Sequence, residues 1–257
     1  MNFRTRLIAF VALLATTTCS QVKADVINIL ASQDNTLFES ATGGLSNGAG
    51  TGLFVGRTVQ SAGQSLRRGL IQFDLSQVPI GSIINSATIR LTQNQAAGLG
   101  APTSISVHRV TNSWGEGTSS APAPGGMGAI ATPNSATWIH RFSPATTWNN
   151  PGGDFVAIAS ATNNAISING TYEWNSLGLQ TDVQQWVNNP NTNFGWLLLG
   201  NEQTAQNARR FGSREGLLAE IPLLVVDFVA VPEPTNGLLF LLSIAAVSSR
   251  RRQITLS

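Results

Sequence analysis

Cysteine is almost missing from this chain: Cys19 is the only one in 257 residues. A lone thiol closes no intramolecular disulfide and builds no thiolate zinc centre, so disulfide-stapled and zinc-thiolate designs are excluded. Histidine is nearly as scarce. His108 and His140 are the only two, far from any metal-ligand spacing, and each is expected to be an ordinary polar-face or hydrogen-bonded histidine rather than a general base. A Gly-x-Ser-x-Gly elbow is missing as well, so nucleophilic hydrolysis lacks its parts. Lys23 is the only lysine. Long apolar runs are also absent, both candidates falling short of the roughly 18 residues of a stable transmembrane span. What is present is a composition of globular type, 42% hydrophobic, long enough for one sizeable core.

The two ends stand apart from the body. Arg4 and Arg6 precede an apolar run from Leu7 to Ala15, and a polar stretch then ends in Val22-Lys23-Ala24, which suits a cleavage site. Residues 1–24 are expected to be a signal peptide removed by signal peptidase, since an N-terminal anchor needs an apolar run about twice as long. Cys19 follows three threonines, where a lipoprotein signal carries an aliphatic and small residues, which argues against a lipid anchor. At the other end, Pro232-Glu233-Pro234 leads into an apolar run from Gly237 to Val247 and then Arg250, Arg251 and Arg252. A strand-stopping proline pair, an apolar stretch and a terminal arginine cluster read together as a stop-transfer signal with its arginines held in the cytoplasm. Residues 231–257 resemble the PEP-CTERM sorting signal of exopolysaccharide-producing Gram-negative bacteria. That resemblance implies recognition by an exosortase, a transient inner-membrane anchor through a short C-terminal helix, and release to the cell surface or extracellular matrix.

Removing the ends reverses the charge. The full chain carries +2, but residues 25–231 hold nine basic and twelve acidic side chains, a net charge of about −3. The high isoelectric point belongs to the ends, so a nucleic-acid partner loses its electrostatic basis. With no cysteine in the body, its fold must rest on a buried core.

Within residues 25–230 the apolar residues come in short period-two runs separated by Gly, Pro, Asn and Ser, the pattern of an all-β sandwich or barrel. Ile71, Phe73 and Leu75 share one face against Gln72 and Asp74. Ala87, Ile89 and Leu91 alternate with Thr88, Arg90 and Thr92, and Ile105 and Val107 with Ser104, Ser106 and a solvent-facing His108. Trp196–Leu199 and Leu223–Val226 are continuously apolar, which predicts central strands buried on both sides. Leu179, Val183, Trp186 and Val187 fall at helical spacing and Asn188-Asn189-Pro190 ends the pattern, so one short helix caps the sandwich. Thr118–Pro133 has no periodicity and reads as the longest loop. The glycines at 48, 50, 52 and 56 fail as a phosphate loop, because no Lys-Ser/Thr pair or helix follows them; they predict a tight turn with positive φ.

Several of these segments carry a second resemblance. Asp34-Asn35-Thr36-Leu37-Phe38-Glu39, Gly48–Gly56, Arg68–Leu75, Ile84–Leu91, Trp114-Gly115-Glu116-Gly117-Thr118, Trp148–Asp154, Gly195–Leu199 and Phe211-Gly212-Ser213-Arg214-Glu215 follow one another as in the DNRLRE domain family, with Thr36 and Phe38 in place of the two arginines of the naming motif. The resemblance implies a jelly-roll-like antiparallel β-sandwich of secreted and surface proteins, similar to modules that bind acidic polysaccharides, and without catalytic activity.

Sugar recognition needs flat apolar faces and planar donors, which Trp and Arg supply. Trp114 and Trp148 lie in Gly- and Asn-rich segments, so with Arg109, Arg209 and Arg210 they are the candidates for a binding rim; the alternative is a loop-anchoring role for the tryptophans and solvated arginines. Jelly rolls of this kind commonly hold a structural calcium where first and last strands meet, and Asp34, Asn35, Glu39 and Asp227 offer oxygen ligands there. The same residues serve equally as turn formers. Glu116, Asp154, Glu173 and Asp182 are carboxylates by type for a glycoside hydrolase, with nothing in their spacing to single out a pair. Three readings therefore stand: a polysaccharide-binding surface module, a purely structural surface domain, and a polysaccharide-degrading enzyme.

Overall fold

A computed structural model describes residues 24–98 and 100–231. The expected signal peptide up to Lys23, and the sorting motif with Pro232, Glu233, Pro234 and Arg250–Arg252, lie outside the described residues. Ala24–Val231 forms one compact unit. It is an all-β sandwich with a single α-helix, as the alternation predicts.

Ten strands of four or more residues build it: β1 (Ala24–Phe38), β2 (Gly52–Arg57), β3 (Leu66–Phe73), β4 (Ile83–Ala96), β5 (Thr103–Arg109), β6 (Ala161–Ile166), β7 (Gly170–Asn175), β8 (Trp196–Gly200), β9 (Arg209–Gly212) and β10 (Leu223–Val229), with α1 (Leu177–Asn188) between β7 and β8. All their pairings are antiparallel. In one sheet the first half of β1 pairs with β10, β10 with β4, and β4 with β7; β9 continues along β4 and pairs with β2. In the other, the second half of β1 pairs with β3, followed by β8, β5 and β6. β1 thus serves both sheets and changes over at a register shift between Ala31 and Gln33, the usual way a strand turns a corner. β2 crosses similarly, its Gly56 and Arg57 reaching β3.

Between the sheets lies the main core, with Ile29, Ile71, Phe73, Ile89, Leu91, Val107, Trp174, Phe211 and Val226. Full burial of each such side chain contributes about 1.5–3 kcal/mol, which replaces the missing disulfides. α1 closes this core. Ser176 caps it, its Oγ accepting from Leu179 N at 3.1 Å, and Leu179, Val183, Trp186 and Val187 face inward. Trp186 meets Trp196 with ring centroids 4.4 Å apart.

A second apolar cluster sits on the outer face of the β3–β8–β5 sheet: Leu37, Leu70, Val110, Trp114, Ala136, Trp148 and Leu197. Residues 110–160 supply its cover, a segment held by scattered backbone bonds such as Gly115 N to Arg141 O and Trp148 N to Ile139 O, both 2.9 Å. The structure departs from the sequence pattern in three places. β8 is buried on both faces as expected, but β10 is not: Leu224, Val226 and Phe228 point inward while Leu223 and Val225 stay half-buried, because among the described residues no segment buries that sheet's outer face at β10. His108 is buried instead of solvent-facing. It packs edge-on against Phe155 at 5.2 Å, bonds Ser106 Oγ at 2.8 Å and Val156 O at 2.9 Å, and burial lowers its pKa. In the glycine-rich stretch only Gly56 has positive φ. At Gly48 the requirement is room, since a Cβ would run into the Glu116 carbonyl.

Candidate functional site

Three segments far apart in sequence meet at the second half of β1. Asn35 is fully buried and spends its whole amide there. Its Nδ2 donates to Ser46 Oγ (2.9 Å), Glu116 O (2.9 Å) and Ala136 O (3.2 Å); its Oδ1 accepts from Thr36 N (2.7 Å), Asn47 N (3.0 Å) and Ser46 Oγ (3.1 Å). The neighbouring Asp34 is 1% exposed and shares a carboxylate cluster with Glu116 and Glu215, whose oxygens lie within 4.8 Å of one another. Arg214 lies among them. Its backbone N–H donates to Asp34 Oδ2 at 2.6 Å, its guanidinium grips Glu116 at 2.8 and 3.2 Å, and the same Nη2 reaches Glu215 at 2.6 Å.

The electrostatics follow from one arginine among three acids. Burial raises the Asp34 pKa well above the ordinary carboxylate value, against the lowering effect of the Arg214 N–H, and the nearby Glu215 and Glu116 add to the rise. Burial likewise raises Glu215. Hydrogen bonding to Glu116 raises Arg214, holding its charge in place. The arrangement ties β1, the Trp114–Thr118 segment and the turn after β9 together. Glu116, Arg214 and Glu215 were not singled out as partners of Asp34 in sequence, although all lie in segments that carry the DNRLRE resemblance. Order along the chain gave the signal; contact did not follow from it.

The expected binding rim does not assemble. Trp114 and Trp148 are each 4% exposed and plug the second core, with their indole N–H groups donating to Phe194 O and Thr137 O, both at 2.9 Å. They anchor the covering segment, the alternative weighed for them above. Arg209 is buried and donates to the carbonyls of Ala97, Ala101, Asn207 and Ala208. Arg210 bonds Asn94 Oδ1 (2.6 Å) and Thr51 O (2.9 Å). Arg109 borders an open hollow, about 290 Å³ in volume, with Thr181, Asp182 and Gln185, while Arg209 and Arg210 line a separate, smaller one of about 140 Å³ beside Phe54.

No protein-family model matches the chain, and no curated protein matches it.

The expected calcium set is dispersed as well. Asp34 joins the cluster just described, Asn35 has no lone pair to spare, Glu39 accepts from Ser65 N (2.8 Å) and Leu66 N (2.9 Å), and Asp227 accepts from Asn85 at 2.9 Å. These four donors do not fit one cation. In the cluster that does form, Arg214 occupies an oxygen of both glutamates, while calcium needs six to eight oxygens. Melting temperatures measured with chelator and with added calcium are therefore expected to coincide; a rise with calcium would show that the cation displaces Arg214.

The carboxylates considered for hydrolysis have structural partners. Asp154 accepts from Asn149 N (2.9 Å), Asn150 N (3.0 Å) and Asn112 Nδ2 (3.0 Å); Glu173 pairs with Arg90 at 2.6 Å; Asp182 accepts from Trp196 Nε1 at 2.8 Å and faces Arg109 at 3.5 Å.

Proposed function

We infer that this protein is a non-catalytic surface or extracellular-matrix domain of the DNRLRE type, exported by its signal peptide and sorted by an exosortase through its PEP-CTERM ending, and that its role is structural display. The observation that carries this reading is the second core: Trp114 and Trp148, the side chains best suited to stack on sugars, instead seal residues 110–160 onto the outer face of a sheet. Aromatic area of that size is worth more to stability inside a core than at a rim. The order of the C-terminal motif supports the export half of the reading.

A second reading, polysaccharide binding, is favoured by the Arg109 hollow, where a buried Asp182 holds the arginine from behind. A screen of the secreted form against neutral and acidic polysaccharides separates the two. Structural display predicts no saturable binding to any polymer. Saturable binding that is lost in Arg109→Ala, with melting unchanged, would replace it by the second reading.

A further inference from the structure

The two ends of the described domain are neighbours in one sheet. Ala24, the first residue of β1, is the register partner of Val229, the last of β10, and Val229 is in turn the partner of Ile83, the first residue of β4. Strand partners point to the same side of a sheet, so Ala24, Val229 and Ile83 form an outward-facing row at one end of the sandwich. Around this row stand more exposed apolar side chains. Val26 is two residues along β1 on the same outward face, Val231 follows β10, and Ile80 sits in the turn closed by Ser82 N donating to Pro79 O at 3.1 Å, just before β4. Val26, Ile80, Ile83 and Val231 are each at least half exposed.

What covers this rim follows from where the chain leaves it. Only residues 232–236 separate Val231 from the apolar run that begins at Gly237, and a fully extended chain of that length spans at most about 20 Å. Resting on the export reading above, we propose that this end of the domain is a lipid-facing surface, with Val26, Ile80, Ile83 and Val231 set against the bilayer while the C-terminal segment is in it. Four partly exposed aliphatic side chains bind a membrane weakly by themselves. A short tether makes the contact intramolecular, and its effective concentration is then high enough for weak apolar burial to hold the domain in one orientation. The opposite end stays away from lipid: β4 runs ten residues from Ile83 to Gln93, the partner of Gly170, about 33 Å at the rise of a strand.

The body contains no cysteine, so site-specific labelling tests this directly. In the full chain with Cys19→Ser, single cysteines at Ile83→Cys and Ile168→Cys, both at exposed positions, are labelled with an environment-sensitive fluorophore. The protein is then reconstituted into phosphatidylethanolamine and phosphatidylglycerol vesicles containing a lipid-borne quencher. The expected result is a blue-shifted Ile83→Cys label quenched several-fold more by the lipid-borne quencher than the Ile168→Cys label. Equal quenching at both sites in protein that floats with the vesicles would overturn the lipid-facing surface and leave anchoring intact. Protein that does not float at all would overturn the anchoring reading, and the lipid-facing surface with it.

Discussion

Replacing Trp148 by alanine is expected to lower the free energy of unfolding by about 3–5 kcal/mol, the range for truncating a large buried aromatic. The indole fills the second core beside Leu37, Leu70 and Leu197, and its N–H satisfies the Thr137 carbonyl. Truncation leaves a cavity and an unpaired acceptor together. A domain of this size is typically stable by only about 5–15 kcal/mol, so the loss is a large share of the whole. Urea denaturation at unchanged slope measures it, and Trp114→Ala is expected to act in the same direction. A variant as stable as the wild type would mean that Trp148 is not part of a core, and the aromatic rim would return as the better account of it.

Stability is expected to fall as pH rises from the ordinary carboxylate value through the elevated pKa of Asp34, and Asp34→Asn is expected to remove the share of that fall that Asp34 contributes. The sign follows from linkage. Between the ordinary carboxylate value and its raised folded value, Asp34 holds a proton in the native state that the unfolded chain has released. The stabilisation is fully present below the ordinary value and is lost as pH passes the raised one. Glu215 shifts in the same direction. His108 opposes them: its pKa is lowered by burial, so its contribution is present above the ordinary histidine value and is lost as pH falls through the folded one. Comparing variant with wild type cancels the histidine. Asparagine retains an oxygen to accept from Arg214 N but carries no charge, so melting curves collected from about pH 4 to 8 should diverge, the variant gaining relative to wild type at the upper end. Parallel curves would mean that Asp34 ionises normally in its buried site.

Sequence periodicity anticipated the elements whose burial is decided locally. Ile71 and Phe73 alternate with Gln72 because β3 turns every second side chain inward, and Leu179, Val183, Trp186 and Val187 recur at helical spacing because α1 shows one face to the core. Both patterns are short-range, so a window of a few residues carries them. Leu223–Val226 defeated the same reasoning. Its apolar run is as continuous as that of Trp196–Leu199, yet only the latter is covered on both faces, because residues 110–160 return across β8 and not across β10. The same return buries His108, whose parity with Ser104 and Ser106 suggests solvent, and Trp114 and Trp148, whose Gly- and Asn-rich surroundings suggest the same.

The candidate site divides in the same way. Asp34 and Asn35 stood out by their motif, but their contacts, Glu116 82 positions from Asp34 and Arg214 another 98 beyond Glu116, are set by how the strands close. An all-β sandwich without disulfides, with one short helix, was determined by the sequence alone, because alternation and helical spacing are properties of neighbouring residues. Which aromatic becomes core, which histidine loses water and which acids share an arginine were decided only in the tertiary structure, because burial and charge proximity depend on segments that meet across the sandwich.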